Sequence, residues 1–178
     1  MSRYYGPTIR NGYVVRDWRR AAEHWSDVMG VGPFFVMEHI EFSTCLYRGK
    51  PANIDMSVAI AYSGDLQIEL VQQHNDSPSI YTDHLARYGE GLQHVGTMVD
   101  DLDAVLDARG WREKIIQGGA TTVGQRFAYV DVGGHPGAML ELIETTPAAR
   151  AAFEYMRLAA RDWNGERPIR LPKRSTTA

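Results

Sequence analysis

Two glutamates in this chain stand among aliphatic neighbours, Glu69 within Leu66 to Val71 and Glu141 within Met139 to Ile143. An ionised carboxylate in such surroundings is costly unless a cation or hydrogen-bond donors meet it. For one buried strand glutamate, an arginine partner is sufficient explanation. Two at matched positions point to a shared site. His94 adds an imidazole, which alternates with Leu92, Gly96 and Met98 and can look across a sheet face to an acidic partner. Arg10 precedes Gly12 as His94 precedes Gly96, by two residues. Of the remaining histidines, His24, His39, His74 and His84 read as surface groups. His135 lies in the turn Gly133 to Gly137, whose glycines suit a lid or a proton donor over a cavity.

Two similar halves would position these groups. Gly12-Tyr-Val-Val-Arg-Asp17-Trp18 reads like Gly96-Thr-Met-Val-Asp-Asp101-Leu102, the second copy lying 84 residues after the first. Each is a β-branched run ending in an Asp placed to cap a helix, with Gly30 and Gly110 where a left-handed residue would end it. Strands are expected at Phe34 to Phe42, Thr44 to Arg48, Asp55 to Tyr62 and Gln67 to Gln72, then at Glu113 to Gln117, Gln125 to Val132 and Ala138 to Glu144. Gly118-Gly119 reads as a break. The predicted fold class is α+β: two β-α-β-β-β modules related by a pseudo-two-fold, forming an open cupped sheet around one cavity. The expected boundaries are 8–74 for the first module, 75–91 for a helical linker capped by Ser77 with Pro78 first, 92–146 for the second module, and 147–178 for a helix and a fraying basic tail.

Composition narrows the function classes. Nineteen Lys and Arg against 22 Asp and Glu give a net charge of −3, so no general field recruits nucleic acid. Cys45 is the only cysteine, which removes disulfide frameworks and thiolate clusters and reads as a core residue. No stretch approaches the roughly 20 apolar residues of a membrane span, and the first residues lack the apolar centre of a leader. A cytoplasmic protein without membrane or nucleic-acid partners is the expectation.

The openings Asn11 to Asp17 and His94 to Leu102, with the closings Ile68-Glu69-Leu70 and Leu140-Glu141-Leu142, resemble the vicinal oxygen chelate superfamily. It includes glyoxalase I, methylmalonyl-CoA epimerase, extradiol dioxygenases and bleomycin-resistance proteins. The resemblance covers about residues 8 to 146. It implies one divalent metal between the modules, held from the first and last strand of each, at positions that are Arg10, Glu69, His94 and Glu141 here. Arg10 departs from that pattern, because a guanidinium has no lone pair to give. Two readings follow. In one, Glu69, His94 and Glu141 hold Mg, Mn, Co or Fe while Arg10 grips an anionic substrate group. In the other, Arg10 takes the metal's place in a buried salt bridge.

The function implied by the first is an isomerase, epimerase or lyase that forms an enolate on a small acyl, ketone or CoA-type substrate. Glu141 and Asp55 would move protons, and His135 would assist. The second implies a metal-free protein that sequesters an aromatic or drug-like ligand. An extradiol dioxygenase ranks third, since it calls for two histidines and one carboxylate. Family habit also implies a homodimer.

Overall fold

The computed structural model describes Ser2 and residues 4–171. β1 (Arg10–Val14) leads through Asp17 into α1 (Trp18–Met29). Asp17 accepts from the Arg20 amide, and Gly30 closes the helix at φ 65°. The repeat is structural: β7 (Gly91–Val99) leads through Asp101, which accepts from the Ala104 amide, into α3 (Leu102–Arg109), closed by Gly110 at φ 63°. The first half continues with β2 (Phe34–Met37), β3 (Phe42–Tyr47), β4 (Lys50–Pro51), β5 (Met56–Ser63) and β6 (Leu66–Gln73). α2 (Ile80–Tyr88) lies between the halves. The second half continues with β8 (Ile115–Thr121), β9 (Arg126–Val130) and β10 (Met139–Glu144), followed by α4 (Pro147–Arg161) and β11 (Ile169–Arg170).

These strands make one open sheet in the order β11-β2-β5-β6-β1-β7-β10-β9-β8-β3-β4, so the α+β architecture is as expected. β1 and β7 meet antiparallel at the centre, and each runs parallel to the last strand of its own half, β6 or β10. Alternation then sorts the side chains. Ala59, Ala61, Ile68 and Leu70 pack under Trp18 and Ala22 of α1, and Ala128, Val130, Leu140 and Leu142 pack under Leu102 and Leu106 of α3. Met56, Val58, Ile60, Phe127 and Tyr129 take the other face, with Ile80 and Tyr81 of α2 and Phe153 of α4.

Four expectations are corrected. The strand expected from Phe34 to Phe42 is broken, because His39 adopts φ 51° between β2 and β3. β3 then leaves its own half and pairs with β8, Cys45 facing Gly119. Gly118 and Gly119 are therefore inside a strand, not a break in one: a Cβ on Gly119 would lie 2.0 Å from Thr44 O, so only glycine admits β3 there. α2 starts two residues later than expected, since the Ser79 hydroxyl accepts from the Tyr81 and Thr82 amides. Ser77 instead donates to Asn53 O at 2.6 Å. Finally, part of the tail expected to fray is structured: β11 pairs with β2, and Trp163 Nε1 donates to Glu166 O. Lys173 and Arg174 of the basic tail lie outside the described residues.

Candidate metal centre and cavity

The central strands bring Arg10, Glu69, His94 and Glu141 together. Their register explains why. Gly12 faces both His94 and Glu69, while Gly96 faces both Arg10 and Glu141. The glycines supply the room: a Cβ on Gly12 would stand 1.9 Å from the His94 ring, and one on Gly96 would stand 2.9 Å from Glu141 Oε2 and 3.0 Å from Arg10 Cβ. Each half thus vacates a position that the other half's side chain fills.

All four residues are buried, at 3% exposure for Arg10, 4% for each glutamate and 0% for His94. Arg10 Nη1 lies 3.0 Å from Glu69 Oε1 and 3.1 Å from Glu141 Oε2, bridging the carboxylates. Its Nε donates to Gln67 Oε1 at 2.8 Å, and Gln67 in turn donates to the Tyr62 hydroxyl. Burial alone would weaken the Arg10 charge, but Glu69 and Glu141 outweigh it and hold the guanidinium protonated. Burial pushes the Glu69 carboxyl up; Arg10 first, then the His94 ring when it carries a proton on Nε2, more than reverse this, so that it sits below its ordinary value.

His94 is disposed differently. Its Nδ1 is 2.7 Å from Gln93 Oε1, an acceptor that takes the Nδ1 proton; in the neutral ring Nε2 then carries the lone pair. Nε2 is 3.2 Å from Glu69 Oε2 and 3.5 Å from Glu141 Oε2, yet makes no aligned hydrogen bond. A lone pair aimed at two carboxylate oxygens in a buried site is repulsive unless a cation sits among them. The three groups offer ligand atoms within 4.8 Å of one another, a spacing compatible with a divalent ion at about 2.0–2.6 Å from each. Charge agrees with geometry. One guanidinium against two carboxylates leaves the cluster one negative charge in excess when the imidazole is neutral. The residues therefore fit a metal, with Arg10 on its flank. The salt bridge of the second reading and the three-donor set of the first are both present.

Above this cluster opens a cavity of about 320 Å³ lined by Arg10, Glu69 and Glu141, with Met56, Val58 and Ile60 on one wall and Phe127 and Tyr129 on the other. Phe153 of α4 forms part of the lining, 5.7 Å from the Arg10 guanidinium carbon. The Tyr81 hydroxyl donates to that of Tyr129 at 3.0 Å, and burial first, then the nearby charges, keeps both phenols neutral.

Asp55 and His135 are not brought to this site. Met56 opens β5 with its side chain in the cavity, so its predecessor Asp55 points away, and its carboxylate meets His39 Nδ1 at 2.7 Å. His135 is exposed, its Nδ1 donating to Pro136 O, and it lines a separate depression with Arg87 and Asp83. Several site residues escaped the sequence reading: Gln67, Gln93, Tyr129, Phe153 and Glu41, the last lining the cavity near the start of β3. Gln67 was within reach, since it shares the parity of Glu69 on one strand. Nothing local marks Phe153, which arrives on α4 from beyond the repeat.

Among solved structures, methylmalonyl-CoA epimerase from Mycobacterium tuberculosis superposes with a TM-score of 0.56 at 22% identity, covering 83% of this chain and 93% of its own. A hypothetical protein from Bacillus halodurans C-125 gives 0.53 at 15%, covering 79% and 94%. A selenomethionine methylmalonyl-CoA epimerase gives 0.51 at 19%, covering 80% and 97%. At these identities the likeness is one of fold. No curated protein matches the sequence. The family model for the glyoxalase/bleomycin resistance protein/dioxygenase superfamily matches residues 11–129, more than half of the chain. With the paired halves and the buried site between them, the chain belongs to that superfamily.

Proposed function

We propose that the protein is a metal-dependent isomerase, epimerase or lyase that works through an enolate on a small acyl, ketone or CoA-type substrate. The observation that carries this reading is His94 Nε2, buried, without a hydrogen bond and facing Glu69 and Glu141 under an apolar cavity. Glu69, His94 and Glu141 would hold Mg, Mn, Co or Fe, which supplies Lewis-acid stabilisation of a developing oxyanion. Gln93 fixes the His94 ring, and Arg10 holds the carboxylates in place. Arg10 is also the cation that an anionic substrate group would meet on the cavity wall. The apolar walls exclude water around the reacting carbon, which strengthens each polar contact there. Glu141 and Glu41 are the acidic groups of the cavity suited to moving the α-proton, in place of Asp55. A homodimer, which family habit implies, and the cytoplasmic location expected from the sequence complete the reading.

The test loads purified protein with Mn or Co and follows solvent deuterium incorporation into a panel of acyl-CoA and 2-oxo compounds. Exchange that requires metal and disappears in Glu141→Gln is expected. Metal-independent behaviour across the panel would overturn the reading. One observation favours a different outcome: Arg10 already bridges both carboxylates, so a metal-free protein that binds an aromatic ligand in the same cavity is the second reading. Tight ligand binding by metal-stripped protein, without exchange, would select it.

A further inference from the structure

A second group of metal-binding side chains comes together among the described residues, His39, Asp55 and His74. They arrive from three places: the connection between β2 and β3, the residue before β5, and the residue after β6. His39 Nδ1 is 2.7 Å from Asp55 Oδ1. The two imidazole centroids are 4.8 Å apart, and each of the three residues offers a ligand atom within 4.8 Å of the other two. Two imidazoles and one carboxylate form a more selective donor set than an acidic patch, and they favour transition metals over Mg or Ca.

The surroundings are built rather than incidental. His39 holds φ 51°, a region that side-chain-bearing residues seldom adopt. Its amide donates to Ser57 Oγ at 3.2 Å, and the same oxygen is 2.7 Å from His74 Nε2. One hydroxyl thus orients both histidines. When His74 carries its proton on Nε2, Ser57 Oγ accepts it and the other ring nitrogen keeps its lone pair, as in oxygen partners of ligating histidines. The His74 amide donates to Asp55 O at 2.8 Å, which braces the remaining pair. A His–Asp pair with side chains 67% and 42% exposed would by itself contribute little. It does not account for a second imidazole lying against the first.

We propose that His39, Asp55 and His74 bind a divalent transition metal ion such as Zn, Co, Ni or Fe, with water completing its shell. The ion ties the β2–β3 connection to the adjoining ends of β5 and β6. Ile40 and Glu41, next to His39, line the cavity, so the tether fixes part of its wall. The site is independent of the cavity cluster. Glu69 and His74 are five residues apart along one strand direction, roughly 16 Å, and the clusters share no ligand.

The test is isothermal titration of the full chain with zinc ion alone, comparing wild type with His39→Asn and His74→Gln. Asn tolerates the left-handed backbone at position 39, and both positions are exposed, so folding is expected to persist and circular dichroism checks it. Each variant is expected to lose one equivalent of zinc, or to weaken it at least tenfold, and zinc is expected to shift the His39 and His74 ring resonances in the wild type. If the cavity cluster takes no zinc, the wild type binds one equivalent and the variants none, which supports this site and leaves the proposed function to its own test with Mn or Co. Equal stoichiometry and affinity in all three proteins, or unmoved rings, would overturn it.

Discussion

Arg10 and His94 occupy the same place in the two halves, two residues before a glycine on a central strand, and both face the same pair of glutamates. Their chemistry differs completely. Arg10 brings a permanent charge and neutralises the carboxylates, making 3.0 and 3.1 Å contacts. His94 brings a lone pair that the carboxylates cannot satisfy. A symmetric backbone has thus been given an asymmetric centre: one half supplies the counter-charge, the other an imidazole whose Nε2 makes no hydrogen bond. An all-donor version would carry a net charge of −2 and rely on the metal for its folding energy. With Arg10 in place, part of that charge is cancelled whether or not a metal is bound.

The largest expected effect comes from removing this asymmetry's charged side. Arg10→Met leaves two buried carboxylates without their guanidinium, and should cost about 3–5 kcal/mol in urea denaturation. The pH dependence should change with it. Glu69 is held below its unfolded value chiefly by Arg10 acting against burial. Its contribution is therefore present above the ordinary carboxylate range and lost as pH falls through the folded value. That acid-side loss should shrink or reverse in Arg10→Met, and an unchanged acid limb would show that Arg10 does not hold Glu69.

The two glycines sharpen the comparison next. Gly12→Ala drives a methyl into the His94 ring at 1.9 Å, whereas Gly96→Ala meets the end of Glu141 at 2.9 Å. The first should cost about 1–3 kcal/mol and displace the imidazole, the second less, because a carboxylate end yields more readily than a ring. Equal losses on thermal melting would contradict the register of β1 and β7.

Arg10→His makes the halves chemically alike. Manganese or cobalt affinity should rise by on the order of tenfold, about 1.4 kcal/mol, read by titration calorimetry. Weaker binding would mean that Arg10 orients the ligands more than it repels the ion. The smallest effects belong to the parts that remained symmetric. Asp17→Ala and Asp101→Ala each remove one N-cap and should each cost about 1 kcal/mol, alike within a few tenths. A large disparity in chemical denaturation would show that one cap also supports its half through other contacts.

Local features were legible because short-range physics enforces them. Both Asp caps and both left-handed glycines sit where the repeat placed them, since the hydrogen bonds and φ values involved span a few residues. The four central residues were legible as matched pairs, Glu69 with Glu141 and Arg10 with His94, because strand parity is inherited by any register that buries the aliphatics. Asp55 was named through the resemblance and not through strand parity: its neighbour Met56 faces the cavity, so alternation turns Asp55 the other way.

Alternation and capping are local rules, and they suffice for the repeated unit and for the matched places of Arg10, Glu69, His94 and Glu141 on its strands. How those groups divide their partners, and what covers them, emerges only when distant segments pack. Arg10 could have met either glutamate, and it meets both. β3 could have stayed with its own half, and it crosses to β8, where Gly119 leaves room for Thr44. Phe153 reaches Arg10 from a helix outside the repeat. Each of these joins residues at least 59 positions apart, where no local pattern ranks one partner above another. The choice falls to packing, because a buried charge and a close-packed strand edge tolerate few arrangements.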